Sequence, residues 1–508
     1  MISGYKSLQV DIKNLKFETP DGRRVAKTAI VTFEVEGRAR PLVELMGYVD
    51  HEEIYRWIDE GKPVNLDSCY VNKLSLEDYR ILRGLEGKEV VEIRDFSARN
   101  ALFDAPVPLD LTHARFTGEK FDISSAWILR GEWRFDSSVF ETSIVDFSYV
   151  RFPDQPFDFK NVRVEGGEVT FKNAVFGTGL KDFQYTGFGE GNVDFTNVEF
   201  RDGDASFINA QFSSGKTSFK VARFGEGRVD FHYACFKNGD ISFERTEFGD
   251  GRVDFRTVEF GEGKVNFNRA RFGNGEVTFE ASEMSSGKFS FKRVHFGTGD
   301  LSFEEVLFNA IDTSFERTNF GSGNLSFYKA SFGSLSFRFC HLDDYVDMRL
   351  HRCDTIDLSN TIVRDIIDLN PHEFALQVEQ IRFAGMRLIG RIYINWRRNG
   401  VKKLICGQQG ESNRIKSEQF RILKENFNQT GQYADEDKSY VEFKRHEARA
   451  DREEAVARKR INAFWSYPSY WFKLGLFDKA GLYATSPVRV LLTMLTFFIV
   501  FSGIYLVL

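Results

Sequence analysis

The feature that most constrains the fold of this chain is a phenylalanine that recurs at every twelfth position. Phe stands at each of the 17 positions of that period from Phe135 to Phe327. Most of these phenylalanines are followed five residues later by a second large apolar residue. A small or β-branched residue usually stands two positions before each of these large residues. Residues two apart on an extended chain point to the same side. Each short strand is therefore predicted to send two side chains into a core, with polar residues pointing outward.

Glycine marks a third fixed position of the repeat, eight residues after the phenylalanine. A glycine kept at one phase indicates a corner that needs positive φ or a close approach of two backbone segments. We therefore predict a core ladder and a set of corners. The ladder comprises Phe195, Phe207, Phe219, Phe231, Phe243, Phe255, Phe267 and Phe279, and the corners are Gly203, Gly215, Gly227, Gly251, Gly263 and Gly275.

Two ways of coiling this repeat compete. Either each unit is one turn of a flattened, two-sided coil, or two units together make one four-sided turn. Opposed phenylalanine rings need sheets about 10 Å apart, and a coil of one unit per turn cannot easily open that wide. We predict two units per turn, so that Phe255 stacks on Phe231 and Phe279 while Phe267 faces across. The predicted fold class is mainly β, a four-sided parallel β-solenoid.

The inward positions of the repeat resemble the A(D/N)LXX pattern of the pentapeptide-repeat family, with phenylalanine as the central residue. The stretch IDLSNTIVRD (356–365) is similar to the undecorated five-residue form. The resemblance covers about residues 96–397 and implies a right-handed, four-sided parallel β-solenoid. The extra corner departs from the family pattern, because it makes two long units per turn where four units of five are usual.

The regions outside the repeat differ in composition. Residues 1–95 combine an alternating stretch with two short helical segments, one of them capped by Ser75, and predict a small α+β cap domain. Residues 398–413 are predicted to be a linker, and residues 414–488 a charged helical and aromatic juxtamembrane segment. The aromatic sequence WSYPSYWFKLGLFDKAGLY (465–483) favours either the membrane interface or packing against the end of the solenoid.

A transmembrane helix is predicted at residues 489–508. The uncharged run VLLTMLTFFIVFSGIYLVL is long enough to cross a bilayer at about 1.5 Å per residue. A buried core helix is the alternative, but core helices usually keep a polar stripe and this run has none. Basic residues upstream of the run are Arg458, Lys459, Arg460 and Arg489. By the positive-inside tendency they place the N-terminal bulk in the cytoplasm, so we expect a membrane protein that contacts the lipid bilayer through residues 489–508.

The residues that resemble catalytic or metal-binding motifs are better explained by their positions in the repeat than by a chemical function. AQFSSGKT (210–217) satisfies a loose phosphate-loop pattern, but it lies in phase with the repeat, so no helix can start there. No cysteine has a plausible catalytic partner in the sequence. One cluster has metal-capable side chains: Cys340, His341, His351 and Cys353. Cys340 and His341 are adjacent, so their side chains point to opposite faces of a strand and cannot converge on one ion. We therefore expect no metal ligand and no cofactor, and we also expect no catalytic residue and no enzyme activity.

The charge balance excludes a general affinity for nucleic acid. The chain carries 68 Lys and Arg against 74 Asp and Glu, a net charge of −6. We therefore expect neither a nucleic-acid partner nor an identifiable small-molecule substrate. The prediction is a membrane-anchored, non-enzymatic binding or scaffold module in the cytoplasm, with a protein partner or a second copy of itself.

Two other functions stay open. The segment that begins SEQFRILKENFNQ resembles the region after the solenoid in bacterial pentapeptide-repeat membrane proteins, some of which continue into a two-helix ion-channel pore. This sequence contains neither their GYGD-like loop nor a second span. The family also includes acidic rods that imitate DNA and inhibit topoisomerases. The net charge of residues 111–370 is about −10, mildly acidic for such a mimic.

Overall fold

A computed structural model of the chain describes residues 5–35, 37, 40–212, 214–370, 377–458 and 460–507. Lys459 of the basic flank and Leu508 of the predicted span lie outside the described residues, as does Ser213 of the phosphate-loop-like octet. The chain divides into two compact units, Met1–Ile311 and Asp312–Leu508. Each unit contains part of the repeat.

The first unit opens with a mixed sheet and two helices, α1 (His51–Asp59) and α2 (Leu76–Arg83). The Ser75 hydroxyl accepts a hydrogen bond from the Asp78 backbone N–H at 3.2 Å, and α2 ends at Gly84 with φ +65°. The predicted N-terminal cap at Ser75 is thus confirmed. The antiparallel strands are Tyr5–Lys13, Lys27–Val35 and Leu42–Tyr48, with a small hairpin of Phe17–Glu18 and Arg24–Val25.

This sheet continues into the solenoid without an edge. Leu42–Tyr48 pairs in parallel with Cys69–Val71, and Cys69–Val71 pairs in parallel with Leu102–Asp104. Leu102–Asp104 in turn pairs in parallel with Trp127–Arg130. Parallel pairing is therefore present on both sides of residue 95, the boundary that the sequence predicts for the cap domain.

The repeat of the first unit forms four faces, and equivalent strands of each face pair one turn apart. Face A consists of Leu109–Asp110, Trp133–Arg134, Phe157–Asp158, Lys181–Asp182, Ala205–Ser206, Val229–Asp230, Val253–Asp254, Val277–Thr278 and Leu301–Ser302. Face C consists of Val91–Ser97, Ala114–Asp122, Ile144–Asp146, Glu168–Thr170, Val193–Asp194, Thr217–Ser218, Ile241–Ser242, Lys264–Asn266 and Lys288–Ser290.

The other two faces are narrower and consist largely of single bridges. Face B runs through Val139–Phe140 and Arg163–Val164 and then through bridges at residues 187, 211, 235, 259 and 283. Face D continues from Trp127–Arg130 through bridges at residues 151, 175, 247 and 271 and the strands Glu199–Phe200 and Arg223–Phe224. The strand Leu307–Ser314 contains the division between the units.

The predicted coil of two repeat units per turn is confirmed by the aromatic core. Phe255 stacks on Phe231 at 5.0 Å and on Phe279 at 4.8 Å between ring centroids, with interplanar angles of 7° and 6°. Phe267 meets Phe255 edge-on at 5.6 Å and 86°. The chain is thus mainly β, with a parallel β-solenoid whose rings stack along each face and meet edge-to-face across the core.

The corner glycines are explained by close approach of the backbone. A Cβ built on Gly251 would lie 2.0 Å from the carbonyl oxygen of Gly227, one turn below. The same conflict, at 2.0–2.2 Å from a backbone oxygen, recurs at the other predicted corners: Gly203, Gly215, Gly227, Gly263 and Gly275. Gly203 alone of these six also has a positive φ, +91°.

The left-handed backbone position of the repeat lies elsewhere, two residues after each phenylalanine. Asn197 has φ +56°, and the residue after it donates its N–H to the Phe195 carbonyl oxygen at 3.3 Å. This geometry is that of a type II turn, which favours Gly or Asn at its third position. Val221 and Tyr233 occupy the same position with φ +58° and +59°.

In the second unit the turns have different lengths. Leu335 pairs with Ile356, and Leu325 pairs with Val346, so these turns are three residues shorter than those of the first unit. Ile367 pairs with Ile392, and that turn is one residue longer. The shorter turns approach four faces of five residues. The strands are Leu325–Ser326, Ser331–Ser336, His341–Leu342, Val346–Asp347, Arg352–Asp357, Ile362–Val363, Ile366–Asp368, Gln377–Arg382, Arg387–Leu388 and Arg391–Tyr393.

Helices follow the last strands of the second unit. They are α3 (Val401–Cys406), α4 (Asn413–Gln429), α5 (Tyr433–Arg458), α6 (Arg460–Phe472), a π-helix (Lys473–Lys479), a 3₁₀ turn (Leu482–Ala484) and α7 (Pro487–Val507). The stretch 398–413, which composition predicts as a linker, contains α3 with buried Val401, Leu404 and Ile405.

Helix α4 closes the exposed edge of the last coil. The buried Asn426 side chain accepts a hydrogen bond from the Ile392 N–H at 2.8 Å and donates one to the Ile392 carbonyl at 2.9 Å. The buried Gln419 accepts from the Phe383 N–H at 2.9 Å. An unpaired strand edge invites pairing with other chains. These two amides therefore satisfy the backbone groups that a further turn would otherwise satisfy.

Replacing a corner glycine tests this packing. Gly251→Ala is expected to lower the free energy of unfolding by about 1–3 kcal/mol, because the added methyl group overlaps a backbone oxygen that cannot move away. Gly187→Ala is the matched control, since a Cβ there meets only a side-chain carbon at 4.0 Å. Denaturant unfolding of both variants measures the difference, and equal midpoints would contradict the close-approach explanation.

Candidate functional site

The residues that the sequence singles out most strongly belong to the core. All eight predicted ladder phenylalanines, from Phe195 to Phe279, have no solvent-exposed surface. The corner glycines pack against the turn below. Neither set can contact a ligand without unfolding the coil, so any recognition by the solenoid must use the side chains between them.

Many of those polar positions are occupied by contacts within the solenoid. Arg256 pairs with Asp254 through three hydrogen bonds, from Nε to Oδ1 at 3.0 Å and to Oδ2 at 3.1 Å, and from Nη2 to Oδ2 at 2.7 Å. The Asn268 amide oxygen accepts from the Lys292 N–H at 2.9 Å, one turn away, and Asn274 does the same for Thr298 at 3.2 Å. These side chains stabilise the corners and turns.

The two sites that the sequence argues against show structural roles. The Cys340 thiol is buried and contacts the Phe315 carbonyl oxygen at 2.9 Å, and burial raises its pKa to about 12. Cys353 is also buried, with its pKa raised to about 12 by burial. In the phosphate-loop-like octet, Thr217 begins a strand of face C, and no helix starts within its described residues.

One inward position holds a lysine. Lys181 occupies a position on face A that neighbouring turns fill with Phe157 and Ala205, and its side chain is 1% exposed. Its Nζ donates to the carbonyl oxygens of Asp202 at 2.6 Å and Gly203 at 3.3 Å. Burial lowers the pKa of this amine to about 8. The sequence periodicity does not reveal this buried cation.

A second cluster lies in the helical region. Cys406 at the end of α3 and His446 on α5 place Sγ and Nε2 3.4 Å apart. Glu442 lies one helical turn before His446 on the same face of α5. One ligand-type atom from each of these three residues lies within 4.8 Å of the others. Within the described part of the chain, this is the one group of three or more His, Cys, Asp or Glu so arranged.

Neighbouring side chains fix the histidine. The Asn413 amide nitrogen donates to Glu453 at 2.7 Å, so its oxygen faces His446 Nδ1, also at 2.7 Å. Nδ1 must therefore carry the proton and donate, which leaves the lone pair of Nε2 directed at Cys406. The Phe420 ring stacks on the imidazole at 5.6 Å and 18°.

Both members of the thiol–imidazole pair are uncharged at neutral pH. Burial, assisted by Arg449, lowers the pKa of His446 to about 4. Burial, assisted by Glu442, raises the pKa of the Cys406 thiol. The sequence did not reveal this contact between a cysteine and a histidine, and a neutral thiol is a poor nucleophile.

This cluster could not be found from sequence spacing. Glu442 and His446 are four residues apart on a predicted helix, which is a weak signal for a shared face. Cys406 and His446 lie far apart in the sequence, and their contact depends on how α3 and α5 pack. The pair matches no short motif with a fixed spacing.

The buried lysine predicts a pH dependence of stability. In the unfolded chain the pKa of lysine is about 10.4, so between pH 8 and pH 10.4 the unfolded chain binds more protons than the folded chain. The free energy of unfolding should therefore rise with pH across that window, by up to about 3 kcal/mol. Lys181→Met removes this contribution.

Thermal unfolding of the wild-type chain and of Lys181→Met at pH 7 and pH 10 measures the contribution of Lys181 to stability, because all other titrating groups are common to both proteins. The wild type should gain stability relative to the variant at pH 10. Parallel pH profiles would contradict the assignment of a buried ammonium group at Lys181.

Comparison of the chain with protein-family models, with curated proteins and with solved structures finds no match. The function must therefore be argued from the residues and their geometry.

Proposed function

We propose that the protein is a membrane-anchored binding or scaffold module of the pentapeptide-repeat type, with its solenoid on the cytoplasmic side and no enzymatic role. The solenoid presents many polar side chains at regular spacing on a stiff backbone, as suits a protein-binding surface. The apolar C-terminal helix holds this surface at the bilayer.

The observation that carries the proposal is the exposure of α7. The segment Pro487–Leu506 is a single helix of 20 residues with a mean hydropathy of 1.9, and none of its most apolar stretch is buried against the protein. Such a surface is costly in water and favourable in hydrocarbon, and its length matches the bilayer core. Arg489 at its start supports an orientation with the solenoid in the cytoplasm.

The segment before α7 supports the same placement. α6 and the π-helix are attached to α5 on one side, where Arg445 pairs with the buried Asp478 at 2.7 Å and Arg452 lies 4.5 Å from the ring centroid of Tyr470. On the other side Trp471 and Phe472 are 61% and 60% exposed. Aromatic side chains at such a position favour the membrane interface.

A pair of tyrosines marks the part of the solenoid best suited to a protein partner. Tyr185 and Tyr233 occupy the same corner of faces A and B two turns apart, and they are 59% and 52% exposed. Two rungs separate them by about 10 Å. Tyrosine is enriched at the energetic centres of protein interfaces.

The membrane anchor is tested by placing charge at the centre of α7. Phe498→Lys combined with Ile499→Lys should shift most of the protein from the carbonate-resistant membrane fraction to the soluble or aggregated fraction. Each lysine at a helix centre costs about 3 kcal/mol of insertion free energy. Val488→Lys, near the helix end where lysine can reach the headgroups, is the control. A wild-type chain that is soluble and monodisperse without detergent would contradict the proposal.

The scaffold role is tested by purification from membranes after cross-linking. Tyr185→Ser combined with Tyr233→Ser should reduce the recovery of a specific partner at least 10-fold, as expected when interface anchors are removed. Tyr149→Ser, equally exposed at the corner of faces C and D, should leave recovery unchanged. Recovery of this chain alone, with ion conductance after reconstitution, would favour the channel alternative instead.

A further inference from the structure

We propose that Cys406, Glu442 and His446 form a zinc site, with Asn413 as the residue that orients the histidine ligand. Three different ligand types from α3 and α5 converge within 4.8 Å. Thiolate, imidazole and carboxylate together are typical of Zn²⁺ coordination, whereas Mg²⁺ and Ca²⁺ prefer oxygen ligands alone.

The distance between the first two ligands suits tetrahedral zinc. With Zn–S of about 2.3 Å and Zn–N of about 2.05 Å, a tetrahedral angle separates the sulfur and nitrogen atoms by about 3.6 Å. In the structure Cys406 Sγ and His446 Nε2 are 3.4 Å apart. An ion can therefore enter between them with little movement of α3 or α5.

The histidine is already held in the ligating tautomer. Its Nδ1–H donates to Asn413, whose own orientation is fixed by Glu453, and its ring is held against Phe420. Metal-bound histidines commonly donate their second ring N–H to such an acceptor, which sets the direction of the lone pair.

The carboxylate has one oxygen committed and one available. Both cations that contact Glu442, Lys402 Nζ and Arg445 Nη1, approach Oε1 at 2.7 Å. In the described part of the chain no hydrogen bond to Oε2 is found, so the lone pairs of Oε2 remain available for an ion. A cleft of about 420 Å³ is lined by Lys402, Glu442 and Arg445.

Binding replaces the thiol proton by the metal. The Cys406 S–H bond breaks, a sulfur–zinc bond forms, and one proton goes to solvent. The thiolate and the Glu442 carboxylate then balance the two charges of Zn²⁺, and His446 binds as a neutral ligand. Three protein ligands leave a fourth position for water, as in sites that are not purely structural.

The test uses the full-length, tag-free chain in detergent, stripped of metal with a chelator and titrated with Zn²⁺ and with Co²⁺. We expect one metal ion per chain and one proton released per ion, measured by calorimetry in buffers of different ionisation enthalpy. The Co²⁺ form should show a thiolate charge-transfer band.

Three variants connect the signal to the residues. Cys406→Ser should remove the band and weaken Zn²⁺ binding at least 100-fold, and Asn413→Ala should weaken it about 10–100-fold with the band retained. Cys235→Ser is the matched control, because Cys235 is also partly exposed and contacts a carboxylate, Glu259, at 3.2 Å, but no histidine contact is found for it among the described residues. It should bind as the wild type does.

A measurement without substitution covers the case in which a variant does not fold. Zn²⁺ should slow alkylation of Cys406 in the wild-type chain and leave that of Cys235 unchanged, as followed by mass spectrometry. The proposal is overturned by substoichiometric binding, by a band that survives Cys406→Ser, or by equal protection of both cysteines.

Discussion

The structure depends on one constraint, the parallel pairing of each residue with its equivalent two repeat units later. Because equivalent side chains lie directly above one another, any position that suits one turn suits its neighbours. Phe219 stacks on Phe195 at 4.8 Å and on Phe243 at 4.9 Å, both nearly parallel, and the neighbouring faces meet edge-on. The glycine at each corner is a consequence, since the turns can approach this closely only where no Cβ intervenes.

A departure from the repeat must be balanced nearby. Met284 stands where a phenylalanine is expected, one turn after Phe260, and Phe289 occupies an inward position that Val265 fills in the turn before. Phe289 packs edge-on against Phe260 at 5.0 Å. The aromatic volume lost at one position is thus restored at the next, as a close-packed core requires.

The sequence predicted whatever recurs and missed whatever occurs once. The Phe ladder and the glycine corners follow from periodicity, and the turn of two repeat units follows from periodicity together with the spacing of the sheets. The left-handed position after each phenylalanine could not be predicted, because Asn197, Val221 and Tyr233 share no side-chain type. Lys181 is a single exception inside a regular pattern, and Cys406 meets His446 only because α3 and α5 pack together. Contacts between helices that are distant in the sequence produce no periodic sequence pattern.

This division bears on where function resides. A ladder that repeats the same contacts offers equivalent surfaces at every turn, so it supplies length and stiffness more readily than a unique site. The helical region does the opposite, because Asn426 and Gln419 must each fit one backbone position of the last coil. The chemically distinctive group of Cys406, Glu442 and His446 lies next to that junction and close in sequence to the apolar helix. An ion held there would tie α3, which follows the last strand, to α5, which carries the membrane segment.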